Sequence, residues 1–261
     1  YAPEPGDGPS HVARYARGRD YHRLLKRRCI ALMDRLRERF GDFAGRAFVD
    51  SAPLAERTLA AVSGLGWIGD NGMLIVPGLG SFVLLAEIVC NLPLRPDEPL
   101  GKGCSGCGAC AAACPTGAIR EPGLIDARRC VSYLTIERRG PIDPALRPGV
   151  GNRVFGCDAC QRACPHSRGA PAGDSELAVP GPPLGGAGLS DILAWTEADW
   201  DAATRGSAMR RATHAMFLRN AALAAGNSGR ADLIGPVEAL AARRPDFAET
   251  CGWAVARLRG R

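Results

Sequence analysis

Two hundred and sixty-one residues, 46% of them apolar, can bury a core, and at roughly 150 residues per domain they suggest about two domains rather than a disordered chain. No stretch approaches the ~20 uninterrupted apolar residues of a membrane span; residues 82–90 come nearest and contain Glu87, so no membrane partner is expected. The net charge of +6 is uneven: residues 204–261 hold ten arginines against four acids, while the remainder balances 23 basic with 23 acidic side chains. That asymmetry points to an anionic partner at the C-terminal segment, nucleic acid being the commonest, with a solvated basic helix face as the plainer reading.

The first residue is Tyr1, and the residues after it lack the basic start and apolar core of a signal peptide. The chain is therefore expected to begin inside a longer protein. Residues 11–40 predict one or two helices, with Leu25, Cys29, Leu32, Leu36 and Phe40 on one face at three- and four-residue spacing. Gly41 ends that pattern, residues 47–49 predict a short buried strand delivering Asp50, and Ser51-Ala-Pro53 predicts a helix start with Ser51 as cap. Residues 73–76 and 81–90 predict two strands around the turn Pro77-Gly-Leu-Gly80. Gly64-Leu-Gly66-Trp-Ile-Gly69 matches a dinucleotide fingerprint, but the helix-like stretch precedes it and the strand-like stretch comes after, the reverse of what the fingerprint needs.

Residues 165–189 shift to Pro, Gly, Ala and Ser, which predicts a linker or long surface loop. Beyond it, helices are predicted over 191–203, 209–225, 234–243 and 247–258, packed as antiparallel pairs that must lean on the rest of the protein. The expected organisation is thus 1–100, mixed α and β; 101–170, cysteine-rich; 171–190, linker; and 191–261, helical.

Eight of the eleven cysteines crowd between Cys104 and Cys164. Clustered C-x-x-C spacings without a secretory signal read as metal ligation in a reducing compartment, so the cytoplasm is expected. The runs are Cys104-x-x-Cys107-x-x-Cys110-x-x-x-Cys114-Pro115 and, after a separate Cys130, Cys157-x-x-Cys160-x-x-x-Cys164-Pro165. A 4Fe–4S cube takes four thiolates; the tight loop gives three to one cube, and the cysteine before the proline points to the other. One cluster would take Cys104, Cys107, Cys110 and Cys164, and the second Cys114, Cys130, Cys157 and Cys160. Paired zinc sites are the alternative. Cys29, Cys90 and Cys251 sit on apolar stretches and read as packed thiols.

The order of segments resembles the epoxyqueuosine reductases, cobalamin-dependent enzymes of tRNA queuosine modification. The resemblance is carried by residues 13–22 (ARYARGRDYH), Phe48-Val-Asp-Ser-Ala-Pro53, Gly64-Leu-Gly-Trp-Ile-Gly69, Arg129-Cys-Val-Ser-Tyr-Leu-Thr-Ile-Glu137, residues 151–160 (GNRVFGCDAC) and Leu218-Arg-Asn-Ala-Ala-Leu223. It implies an α+β chain: a partial nitroreductase-like corrinoid domain, a bacterial-ferredoxin-like two-cluster module and C-terminal HEAT-like helix pairs. It also implies that family members begin well upstream of Tyr1, leaving the corrinoid pocket incomplete or open.

The implied activity is removal of the epoxide oxygen of epoxyqueuosine in a tRNA anticodon loop, with electrons passing through the clusters to cobalamin. A flavodoxin- or ferredoxin-like protein would donate them, and a monomer is expected. Asp50 matches the family's proton donor, a role that needs its carboxyl pKa raised by burial beside the corrin. His22, Ser132, Tyr133, Glu137 and Asp158 fall where the resemblance places the corrin and the substrate nucleotide. Arg210, Arg211, Arg219, Arg243 and Arg244 would hold tRNA phosphates. Two other readings remain open on the sequence: a reductive dehalogenase-like corrinoid reductase, and a ferredoxin-type carrier with no chemistry of its own.

Overall fold

The computed structural model describes residues 10–101, 103–178 and 183–260. β1 (His11–Val12) leads through a short 3-10 turn into α1 (Tyr21–Arg39), β2 (Gly45–Phe48), α2 (Glu56–Val62), β3 (Trp67–Ile68), β4 (Leu74–Ile75) and β5 (Glu87–Cys90). The cysteine-rich part holds α3 (Ala109–Ala112), β6 (Ile119–Glu121), β7 (Leu124–Ile125), α4 (Val131–Ile136), α5 (Arg147–Val150), β8 (Arg153–Phe155) and α6 (Ala159–Ala163). Then come α7 (Leu189–Ala194), α8 (Glu197–Thr204), α9 (His214–Asn227), α10 (Ile234–Arg243) and α11 (Ala248–Leu258). Helix and strand are mixed in the first two parts, and the last is helical.

The strands pair differently from the expected hairpin. β4 pairs antiparallel with β3, and β5 with β2 in the register Phe48 opposite Glu87. The turn after Val76 closes on a single bridge to Gly80, and residues 82–86 have no regular structure. Glycine explains the choice of partner for β4: a Cβ at Gly66 would run into the Ile75 carbonyl, so only glycine lets the two backbones lie that close. The order helix α2 before the glycine motif and strand β4 after it is as read from the sequence.

α1 begins at Tyr21 rather than His11, because Asp20 caps it: the carboxylate accepts the backbone N–H of His22. Its buried side chains are Tyr21, Leu24 and Met33, whereas Leu32 and Phe40, expected in the core, are 48% and 40% exposed. The helical period holds, and the buried stripe is shifted toward the face that meets the sheet. The helix after Asp50 starts at Glu56, not at Ser51, which lies in an open bend.

The principal core joins the C-terminal helices to the start of the chain. Phe217, Leu218 and Ala221 from α9, Leu233, Val237 and Leu240 pack with Val12, Ala16, Ile136, Val154 and Phe155. Those helices do lean on the remainder, as their small number requires. α10 matches its predicted bounds, but the helix expected over 191–203 is two helices, because the Thr196 hydroxyl and Asp199 carboxylate form a capping box that restarts the chain as α8. The predicted linker is tied down where it is described: Arg28 pairs with Asp174 and Glu176, and Arg27 reaches Glu176 at 2.6 Å. Cys251 is buried as expected, while Cys29 and Cys90 are only half-buried.

Candidate functional site

α3 and α6, each carrying cysteines at its ends, pack against one another. Gly106 and Gly108, both at positive φ, turn the first loop tightly between Cys104 and Cys110. A second tie is made by Thr135 in α4: its hydroxyl accepts the Gly156 N–H at 2.9 Å, holding the loop that bears Cys157 against the helix that begins after Cys130. Burial pushes the Cys160 thiol up to about 12, and its next contributors are the nearby Cys157, Cys130 and Cys114. Cys157 is raised by burial and, among other groups, by Cys130.

Cys157 and Cys160 thus lie near Cys130, and Cys160 near Cys114 and Cys110 as well. Half-buried thiols that raise one another's pKa become thiolates once a cation is held among them. At Cys114 burial also raises the thiol, but the amide N–H groups of Ala118, Thr116 and Ile119 outweigh it and hold the thiol below its usual value. The Ala118 N–H donates to Sγ at 3.1 Å, the kind of bond that tunes a cluster's potential. Among the described residues, no three His, Cys, Asp or Glu side chains lie close enough to share a single metal ion.

The first hundred residues reach this module through several contacts, among them the β1–β8 pairing and the Gly123 N–H donated to the Asp70 carbonyl at 2.9 Å. Trp67 meets His166 edge to face at 5.1 Å, and Gln161 donates to the Ser81 carbonyl at 2.8 Å. A Cβ on Gly80 would come within 2.7 Å of Ser167 Cα. Gly80 therefore serves close packing beside the cysteine-bearing turn.

Asp50 stands past the end of β2 with φ at 55°, a conformation that aspartate tolerates better than most side chains. Its backbone N–H is taken by the Glu56 carboxylate, its Oδ2 lies 3.2 Å from His22 Nε2, and the Tyr21 hydroxyl hydrogen-bonds it. The Asp50 side chain is 60% exposed; the burial expected around it is not provided by the described chain. Burial raises the Tyr15 phenol, and Asp50, Asp158 and Glu137 raise it further, while Arg211 opposes them. Residues from three distant stretches thus converge on Tyr15, which sequence reasoning missed, as it missed Tyr21. Glu87 was also missed: burial first, then Glu56, raises its carboxyl to about 7. The signal was a lone acid inside the apolar stretch 82–90.

The remaining expected site residues divide. Ser132 is half-buried, Tyr133 is 37% exposed, and Glu137 forms a two-pronged pair with Arg211 at 2.8 and 3.1 Å. Asp158, expected to touch the corrin, is 2% exposed; its carboxylate accepts the Arg14 N–H at 2.7 Å and so fixes the turn that carries Tyr15. Burial raises its pKa. Asp158 is a strut that holds this turn and does not face a ligand.

Arg219 corrects the sequence reading outright. It is 2% exposed and donates to the carbonyls of Leu134, Arg138 and Gly140 at 2.6–2.7 Å, and to Asn220 Oδ1. Asn220 in turn donates to the Thr135 and Val154 carbonyls. The pair fastens α9 to α4 and β8, beside Cys130 and Cys157, and no phosphate can reach it. Burial lowers its pKa to about 10, which still leaves it charged at neutral pH. The other four arginines lie at the surface: Arg210 on Asp201, Arg211 on Glu137, Arg244 on Asp246, each within 2.8 Å, and Arg243 on the Ala194 and Leu193 carbonyls.

Eight cysteines at cluster-type spacing, packed against the segment that carries Tyr15, Asp20 and Tyr21, mark the class of iron–sulfur proteins. Residues 103–167 match the family model described as "4Fe-4S double cluster binding domain", and residues 1–51 match "Epoxyqueuosine reductase QueG, DUF1730". The chain is 44% identical to the epoxyqueuosine reductase of Salmonella typhimurium over 95% of its own length and 65% of that protein's. Against that of Alicycliphilus denitrificans it is 44% identical, over 94% of this chain and 71% of the relative. Its structure is similar to that of an epoxyqueuosine reductase with a tRNA-Tyr epoxyqueuosine-modified stem loop, at TM-score 0.89 and 31% identity, covering 97% of this chain and 69% of the other. It is equally similar, at TM-score 0.89 and 30% identity, to the Bacillus subtilis enzyme with its aspartate-bearing catalytic loop swung out of the active site. The chain belongs to the epoxyqueuosine reductase family. It spans about two thirds of the length of the relatives it matches, 65% of the Salmonella and Escherichia coli proteins.

Proposed function

We propose that the chain reduces epoxyqueuosine to queuosine in the anticodon loop of tRNA, with two 4Fe–4S clusters as the electron path and Asp50 as the acid. The observation that carries this reading is a chain of contacts from the cysteine module to Asp50: Asp158, next to Cys157, accepts the Arg14 N–H, Tyr15 meets Tyr21 at 6.1 Å, and Tyr21 stacks on His22, which lies 3.2 Å from Asp50. Electrons delivered through the cysteine module and a proton delivered by Asp50 then meet in one place. Expelling an epoxide oxygen as an alkoxide is unfavourable, and a carboxylic acid within hydrogen-bond reach protonates it as it leaves.

The residues present fit a cobalamin between the clusters and Asp50, because the Asp50 carboxyl, the Tyr133 ring and the half-buried Ser132 are open to a ligand while the struts behind them are satisfied. Cobalamin supplies a low-valent cobalt able to take up the electrons. Ser132, Tyr133 and Glu137 would hold it, in a nitroreductase-like half. The HEAT-like reading of α7–α11 gives the tRNA a docking surface through Arg210, Arg211, Arg243 and Arg244. Their present partners do not forbid this, since an exposed ion pair contributes ~0–1 kcal/mol and exchanges readily for a phosphate. Among the described residues no helix is long and apolar enough to cross a membrane. A cytoplasmic monomer served by a flavodoxin- or ferredoxin-like donor suits these features.

The test is anaerobic reconstitution with iron, sulfide and cobalamin, then addition of a low-potential reductant and tRNA carrying epoxyqueuosine. Queuosine should appear, and Asp50→Asn should abolish it while leaving the cluster absorption in place. Full turnover by Asp50→Asn would remove the proton-donor assignment.

A further inference from the structure

We propose that Asp20, His22 and Asp50 form a proton relay that loads Asp50, with His22 as the immediate donor and Asp20 as the residue that sets its tautomer. This rests on the reading of Asp50 as the acid and extends it to where the proton comes from.

The geometry is a line. Asp20, the cap of the 19-residue α1, accepts the His22 backbone N–H at 3.0 Å and lies 2.7 Å from the ring Nδ1 through the same Oδ1. An ionised carboxylate only accepts hydrogen bonds, so Nδ1 carries a proton. That leaves Nε2, 3.2 Å from Asp50 Oδ2, as the nitrogen whose proton comes and goes. Tyr21 stacks on the imidazole with ring centroids 4.1 Å apart and donates its hydroxyl to Asp50, fixing the separation of ring and carboxyl.

One proton is shared across this contact. When imidazole is neutral, Nε2 accepts from the Asp50 carboxylic acid; when it is imidazolium, Nε2–H donates to the Asp50 carboxylate. From the imidazolium–carboxylate state the Nε2–H bond breaks as an O–H bond forms on Asp50 Oδ2, and that same proton then leaves Oδ2 for the epoxide oxygen. Imidazolium becomes neutral imidazole, and water restores the proton at His22, whose side chain is 30% exposed. No electron moves in this step. Imidazole suits the role chemically, because one ring nitrogen can take or give a proton while the other keeps its own. The groups facing the pair are Asp20, Tyr21 and Glu56 nearby, with Tyr15 and Arg211 interacting electrostatically with Asp50.

The relay is read without activity by 15N and 1H NMR of His22 in the cobalamin-free chain. The expected result is a neutral ring in the Nδ1–H tautomer, with the Nδ1–H signal changed in Asp20→Asn and the Nε2 signal changed in Asp50→Asn. In the loaded enzyme, His22→Gln keeps the fold and should lower kcat by about 10- to 100-fold with KM unchanged. An Nε2–H tautomer, ring nitrogen signals indifferent to both carboxylates, or His22→Gln with wild-type kcat overturns the relay. Activity persisting in Asp50→Asn while the NMR coupling is present instead overturns the acid assignment, so the two failures are told apart.

Discussion

Replacing Arg219 with methionine removes the guanidinium that holds the seam between α9 and α4 while roughly preserving volume. The Leu134 carbonyl and Asn220 Oδ1 are buried and lose a charged partner, at about 1–3 kcal/mol each; the carbonyls of Arg138 and Gly140 belong to exposed residues and can recruit water, at about 0.5–1 kcal/mol each. Against this stands relief of the charge's own burial, for a guanidinium whose pKa falls from 12.5 to about 10, or about 3 kcal/mol at ~1.4 kcal/mol per unit. The net is a loss of about 2 kcal/mol for methionine, rising to about 4 kcal/mol for alanine, which adds a cavity. At ~2–4 °C per kcal/mol for a chain of this size, Arg219→Met should melt about 4–8 °C lower. Urea denaturation monitored by circular dichroism measures the first quantity, and binding of a tRNA stem-loop at several salt concentrations supplies the control. A variant as stable as wild type with a shallower salt dependence would place Arg219 on a phosphate and refute the structural reading.

Two further outcomes are expected from other parts of the molecule. Glu87 is raised to about 7 in the folded chain from an ordinary value of 4.5, so the folded state binds its proton more tightly than the unfolded one. The associated stability is present below about pH 4.5 and is lost as pH rises through about 7. Glu87→Gln should therefore match wild type near pH 4 and exceed it by about 1–2 kcal/mol at pH 8, a full linkage of ~3 kcal/mol being discounted for partial exposure; denaturation midpoints at the two pH values decide, and a pH-independent difference contradicts the shift. Neutralising Arg210, Arg211, Arg243 and Arg244 together should flatten the salt dependence of tRNA binding by up to about 0.7–0.9 of a logarithmic unit for each phosphate left without its arginine, with unchanged cluster absorption, and unaltered binding would take α7–α11 out of the interface.

Chemistry that repeats at fixed spacing was legible in the sequence, and chemistry that depends on which face turns inward was not. The eight cysteines announce themselves because a cube dictates the spacing of its ligands, and α10 is plain because Gly229 and Pro245 bracket an amphipathic run. The strand end before Asp50 was readable for the same local reason. Strand partners were not: β5 finds β2 across some forty residues, and no local pattern states that β4 prefers β3. Arg219 misled because an arginine looks alike whether its guanidinium meets phosphate or backbone carbonyl. The clue was its company, since every residue from Met216 to Gly226 is buried. Glu87 carried a similar clue, a charge inside an apolar stretch. Tyr15 and Tyr21 carried none, because their role comes from what three separate segments bring to them.

The account depends on eight thiolates holding two iron–sulfur cubes in crossed sets. Iron and acid-labile sulfide analysis of the anaerobically reconstituted chain, with Mössbauer spectra of the wild type and of Cys164→Ser, tests this directly. About eight irons and eight sulfides per chain are expected, with Cys164→Ser perturbing only the cluster otherwise held by Cys104, Cys107 and Cys110. Stoichiometric zinc without sulfide, or a Cys164→Ser change confined to the cluster of Cys157 and Cys160, would contradict it.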